Sequence, residues 1–317
     1  MKRKEILRHM ANAFNEWMKV DTELLEVIIR IAHAVQNDSL LFDDIEDGSE
    51  LRRGRPVANT VYGVPQTVNA ASYVVIKIYK DALELRGLMA KKDLINRGKP
   101  MPEEIITEEL LNAHRGQGLD ILWRDKVECP TEDEYIDMIK NSVMYQIRDD
   151  LSNLRDATLV NELELLRFFL SFFYSHSMRE IWPRIGSEAN CLMFSVNMLD
   201  GLGGPDVTEN SDVVDSLTSY GETKGFAEDL TEGKFSFPLV HAIHADQSNS
   251  ELLDIIRQRP KTPTLKKRAL EYMEHRTKSF EYTMDVLGML WRRIEEEVKV
   301  LGGNAKLEVL IDRLRVK

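Results

Sequence analysis

The chain has 317 residues, 43% hydrophobic and 30% charged, so it can bury a substantial core and is too apolar for a disordered regulator. Its 42 basic against 53 acidic side chains leave a net charge of −11, which argues against a nucleic-acid protein. Two cysteines, Cys129 and Cys191, form no CxxC pair, which excludes a disulfide framework or a cysteine-rich zinc site and fits a reducing, cytoplasmic compartment. The N-terminal run MKRKEILRHMANAFNEW mixes charge with apolar residues and does not read as a secretory signal. Apolar residues at three- and four-residue spacing predict helices over residues 5–20, 23–44, 68–88, 102–121, 132–153 and 160–174. Glycine and proline mark breaks at residues 48–65, 97–102, 201–205 and 259–263. The most apolar run, Leu165 to Tyr174, is too short to span a bilayer, so no transmembrane segment is expected. Strand signals are scarce, and the reading is one all-α domain over residues 1–317. The run from Gly201 to Pro205 lacks the Lys-Ser/Thr ending of a phosphate loop, and the histidines show no HExxH spacing.

Two acidic clusters fall at the predicted C-terminal ends of long helices: Asp43, Asp44 and Asp47, then Asp149, Asp150 and Asn153. Asp43 and Asp47 stand one turn apart on one face with Asp44 beside them, so their carboxylates can converge. Oxygen ligands that leave positions open suit Mg²⁺, which bridges a few carboxylates to a substrate's phosphates. A solvated acidic helix end is the other reading of such a cluster. Arg52 and Arg53 follow directly, and guanidiniums beside metal-holding carboxylates make a diphosphate site in an otherwise acidic protein.

This run, with Leu51-Arg-Arg-Gly54, His114-Arg-Gly-Gln-Gly-Leu-Asp120, Trp123-Arg-Asp125 and the segment from Lys224 to Pro238, resembles the trans-isoprenyl diphosphate synthases, in detail the geranylgeranyl diphosphate synthases of fungi and animals. The resemblance implies an isoprenoid synthase fold, a helical bundle around a prenyl cavity, with three Mg²⁺ ions and an allylic diphosphate donor. It further implies that Asp43, Asp44, Asp47, Asp149, Asp150 and Asn153 hold the metals, with Gln146 in the second phrase. Lys224 and Lys234 match the lysines that grip the allylic diphosphate. Ser39, one turn ahead of Asp43, matches the open floor that admits a C20 chain. Homodimers are usual in such a family.

The pattern breaks on the acceptor side. The family's N-terminal Gly-Lys-x-x-Arg keeps Lys4 but has Leu7 at the arginine position, with Arg8 its neighbour on another helical face. Gln36 takes a histidine position, and Asn141-Ser-Val-Met144 replaces an expected Lys-Thr-Gly-Gly. Residues 155–216 intervene where the second cluster would meet Tyr220, so Asp212 and Asp215 compete with Asp149 and Asp150 for the second metal position. An intact donor half with an altered acceptor half resembles the indole-diterpene geranylgeranyl transferases of the paxilline type. That implies a small aromatic acceptor, indole-3-glycerol phosphate, converted to 3-geranylgeranylindole, with Lys4, Arg8 or Arg53 taking its phosphate. An ordinary geranylgeranyl diphosphate synthase, a class I terpene cyclase and a non-catalytic partner subunit are the alternatives.

Overall fold

A computed structural model of the chain describes residues 3–52, 55–95, 100–141, 163, 165–166, 227–300 and 302–314. Among them the architecture is all-α, as expected. The helices are α1 (Arg3–Met18), α2 (Thr22–Glu46), α3 (Ala58–Tyr62), α4 (Val64–Lys91), α5 (Pro102–Lys126) and α6 (Glu132–Asn141). After residue 226 come α7 (Glu228–Glu232), α8 (Phe237–Ala245), α9 (Glu251–Arg257), α10 (Pro263–Glu271) with a π-helical turn at Tyr272–Arg276, α11 (Ser279–Val300) and α12 (Ala305–Leu314). The one sheet among the described residues is a ribbon in which β1 (Leu51–Arg52) pairs antiparallel with β2 (Arg55–Pro56).

The first four predicted helices are found and the fifth is found as far as Asn141, whereas residues 142–153 and most of 160–174 lie outside the described residues; α4 starts earlier than its periodicity suggested. Pro65 reads as a break, yet it sits in the first turn of α4, where its missing N–H has no partner to lose. Gly63 joins α3 to α4 with φ +84°, a conformation that side chains with a Cβ rarely adopt.

α2 begins where the Asp21 carboxylate accepts the N–H of Glu23 at 3.0 Å. Leu24, Ile28, Ile31 and Val35 recur at three- and four-residue spacing on its buried face. Antiparallel to it runs α4, fixed in register by Arg30 to Glu84 at 2.6 Å and Lys92 to Asp21 at 3.2 Å. Ile78, Ala82, Leu85 and Met89 of α4 join the same core. Truncating Ile28 or Leu85 to alanine would cost about 2–5 kcal/mol, because a sealed interior cannot fully close over the void. The packing holds α2 rigid, so its C-terminal end is a fixed platform.

Two further features frame that platform. α5 crosses beside α4, and Glu104 accepts the N–H of Met101 at 2.7 Å to cap its start. At the far side α1 and α12 close a seam: Asn304 donates to the Ala13 carbonyl at 2.7 Å and Trp17 to that of Gly303 at 3.1 Å. No described helix is long and apolar enough to cross a membrane.

Candidate functional site

The C-terminal turn of α2 carries Asp43 and Asp44, and the N–H of Asp47 caps the helix on the Asp43 carbonyl at 2.9 Å. The ribbon then returns Arg52 over this end. Its Nε donates to Asp44 Oδ1 at 2.7 Å and its Nη2 to Asp43 Oδ2. From α5, Arg124 donates to Asp47 Oδ1 at 2.8 Å and to the Glu46 carbonyl at 3.0 Å, so it holds a carboxylate and satisfies an orphan carbonyl of the helix end together. Gln117, two turns earlier on α5, donates to Glu46 Oε2 at 2.8 Å.

The third wall is the link between α7 and α8. Lys234 Nζ pairs with Asp47 Oδ2 and lies 3.5 Å from Asp43 Oδ1. It is also 3.5 Å from Glu232 Oε2, close enough for ion pairing but not aligned as a hydrogen bond. Glu232 Oε1 accepts from Ser49 Oγ at 3.0 Å. Gly233 is required here: its φ is +79°, and a Cβ would come within 3.2 Å of the Arg124 stem. Three distant segments thus meet on the end of α2.

Five carboxylates, of Asp43, Asp44, Asp47, Asp120 and Glu232, face three cations, Arg52, Arg124 and Lys234. The charge is not balanced, and the titration directions reflect it. Burial raises Asp44 above the usual carboxylate range despite Arg52. Burial also raises Asp47 well above it, with Asp43 and Glu232 adding repulsion that Lys234 only partly offsets. Asp120 is pushed up to about 6 by burial, and its Oδ2 has no hydrogen-bond partner. For Lys234 burial acts the other way, but the surrounding carboxylates, led by Asp43 and Asp47, hold it well above its ordinary value.

Such a cluster fits Mg²⁺. Its donors are all carboxylate oxygens, it carries more negative than positive charge, and an acidic oxygen of Asp120 stands unsatisfied within it. Among the described residues no three carboxylate, histidine or cysteine side chains already enclose a common point.

The remaining predicted residues distribute unevenly. Gln36 is buried two turns before Asp43 on the same face of α2, and its carbonyl accepts from Ser39 Oγ at 3.1 Å. Lys4 lies on α1. Arg8 is not brought to the cluster: both its terminal nitrogens pair with Glu26, and each partner is half exposed. Leu7, at the position expected to hold an arginine, is 1% exposed in the core. Arg53, Gln146, Asp149, Asp150, Asn153, Asp212, Asp215 and Lys224 lie outside the described residues. The sequence reading assigned no role to Gln117, Asp120, Arg124 or Glu232. The signal for the first three was present: their spacing of three and four puts three polar side chains on one helical face, and all three are buried.

A family model for polyprenyl synthetase matches residues 2–142 and 210–273. The chain belongs to the polyprenyl synthetase family. A polyprenyl synthetase is a prenyltransferase that works on prenyl diphosphates, and the family uses Mg²⁺. This one is 36% identical over 309 residues to the IDS-like terpene synthase 2 of Melampsora larici-populina, covering 98% of this chain and 87% of that one. It is 36% identical over 314 residues to a geranylgeranyl pyrophosphate synthase of Mucor circinelloides f. lusitanicus, covering 99% and 89%. With the geranylgeranyl pyrophosphate synthase janG of Penicillium janthinellum it shares 35% over 320 residues, covering 99% and 75%. The polyprenyl synthetase match includes Asp212, Asp215, Lys224 and Lys234 and passes over Gln146, Asp149, Asp150 and Asn153.

Proposed function

We propose that this polyprenyl synthetase ionises geranylgeranyl diphosphate, releasing diphosphate, and passes the C20 group to an acceptor other than isopentenyl diphosphate; indole-3-glycerol phosphate is the first to test, its C3 taking the allylic group as the bond to its side chain breaks, so that 3-geranylgeranylindole, glyceraldehyde 3-phosphate and a proton are formed. The observation that carries the reading is the contrast between a charged, well-built end of α2 and an α1 face where Leu7 is core and Arg8 is taken by Glu26. Mg²⁺, proposed as three ions, would neutralise the departing diphosphate as the allylic C–O bond breaks. Asp43, Asp44 and Asp47 would hold it, facing a second cluster formed by Asp149, Asp150 and Asn153 or by Asp212 and Asp215. Lys234, Lys224, Arg52 and Arg53 add positive charge for the diphosphate oxygens. Arg124 keeps the α2 end and Asp47 in place. With Arg8 committed elsewhere, Lys4 and Arg53 remain for an acceptor phosphate.

The same contrast favours a second reading, a terpene synthase that needs no acceptor, and relatives named IDS-like terpene synthases support it. Relatives named geranylgeranyl pyrophosphate synthases support chain elongation as a third. Product analysis of the purified protein with Mg²⁺ separates them. Geranylgeranyl diphosphate with indole-3-glycerol phosphate should give a prenylated indole. A hydrocarbon or alcohol from the donor alone would establish the terpene synthase, and geranylgeranyl diphosphate made from farnesyl and isopentenyl diphosphates would establish elongation. Replacing Asp149 and Asp150 in one variant and Asp212 and Asp215 in another identifies the second cluster, since only the true pair should abolish turnover. A homodimer is also proposed; exposed Tyr73, Ile76 and Leu83 along one outward face of α4 support it, and light scattering tests it.

A further inference from the structure

We infer that Arg52 is a displaceable placeholder. Its guanidinium holds Asp43 and Asp44 until a divalent cation takes those carboxylates, and it then turns to the diphosphate that arrives with the metal. The inference rests on the proposed reading of Asp43 and Asp44 as metal ligands.

Contact geometry is the first support. Arg52 engages one oxygen of each aspartate, Asp44 Oδ1 and Asp43 Oδ2, through two arms of its fork. A cation bridging the two residues would compete for the same carboxylates. Second, the mounting differs from that of Arg124. Arg124 sits within the long helix α5, is 6% exposed, and is tied to a backbone carbonyl as well as to Asp47. Arg52 sits on a strand of two residues, paired only with β2, and is 18% exposed. One cation is built into the scaffold, and the other hangs from a short ribbon at the rim. Third, charge sets the direction. A divalent ion brings two charges to two carboxylates that Arg52 now holds, with Lys234 3.5 Å from the other oxygen of Asp43, but freeing Arg52 alone forfeits two charge-assisted hydrogen bonds. A diphosphate restores them. Metal and diphosphate therefore bind cooperatively, with Arg52 as the element both act upon.

The test is a Mn²⁺ titration of the full chain read by the electron paramagnetic resonance of free Mn²⁺. It is run with and without inorganic diphosphate and corrected for the Mn²⁺–diphosphate complex in buffer. Arg52→Gln should bind Mn²⁺ alone about tenfold more tightly than the parent, and the strengthening by diphosphate should shrink by about the same factor. Arg52→Lys, which keeps the charge without the fork, should shift both in the same direction by less, and it serves if the glutamine variant fails to fold. Arg124→Gln should weaken Mn²⁺ binding under both conditions. If neither Arg52 variant binds Mn²⁺ alone more tightly, while Asp43→Asn still lowers binding, the placeholder is wrong and the metal reading stands. If Asp43→Asn leaves Mn²⁺ binding unchanged, the metal reading fails and the placeholder with it.

Discussion

The two ends of α2 face different neighbours, and the contrast is the most informative feature of the molecule. At the C-terminal end Asp43, Asp44 and Asp47 meet Arg52, Arg124 and Lys234 from three separate segments. Toward the N-terminal end α1 presents Leu7, Met10, Ala11 and Phe14 to the core, and its Arg8 is bound to Glu26 at the surface. One region gathers charged side chains, and the other buries apolar ones.

The sharpest way to break the comparison is at the charged end. Asp43→Ala or Asp44→Ala should lower turnover by about a thousandfold or more, because metal-assisted ionisation would fail; product formation per enzyme measures it. Near wild-type rates in either variant would remove the donor-site assignment. At the other end, Leu7→Arg is the change that would restore the missing cation. Since Leu7 is buried, the variant should instead lose about 3–4 kcal/mol of stability in denaturant unfolding, with no gain in isopentenyl-dependent product. A stable variant that gained such activity would show the pocket survives.

A smaller effect sharpens the comparison between the ends. Asp38 lies on α2 between them, fully buried, with neither carboxylate oxygen hydrogen-bonded, and burial pushes it up to about 7. Because the folded state holds this proton more tightly than the unfolded chain, the cost of Asp38 is absent below about pH 4. It grows as pH rises toward 7 and is constant above. Asp38→Asn should therefore stabilise the protein at pH 8, by up to about 4 kcal/mol, and flatten the slope between pH 4 and 7. A melting temperature that falls at pH 8 would show instead that the charge has an unrecognised partner. The smallest expectation concerns Cys129, whose thiol burial raises to about 12. In peptide-mapped alkylation at pH 8 it should remain unlabelled over times in which free cysteine reacts fully.

The all-α architecture and the acidic end of α2 were legible in the sequence because both are local. Helical periodicity needs a window of a few turns, and Asp43 and Asp47 are neighbours by spacing alone. What the sequence reading missed came from afar. Arg124, which had no assigned role, reaches Asp47 across 77 positions, and no local pattern states that two such residues meet; Lys234, which reaches it across 187, was expected at the site only through the family resemblance. Arg8, one of three side chains offered for an acceptor phosphate and read as lying on another face from Leu7, is different in kind. Leu7, Met10, Ala11 and Phe14 mark the inward face of α1, and Arg8 stands about 100° from Leu7, so the same periodicity that found the helix also turns Arg8 outward. The first turn of α4 was lost to Pro65 because proline opens helices as readily as it ends them.

The seam between α1 and α12 sets when α1 can complete its packing. Its two hydrogen bonds join residues 291 and 286 positions apart, so they cannot form until Gly303 and Asn304 have left the ribosome. Through that interval α1 lacks one of its partners, and the apolar face of Met10 and Phe14 has only its contacts with α2 to cover it. Docking of α12 accordingly follows synthesis of the other described helices, and a translation arrest shortly before it would leave α1 half covered.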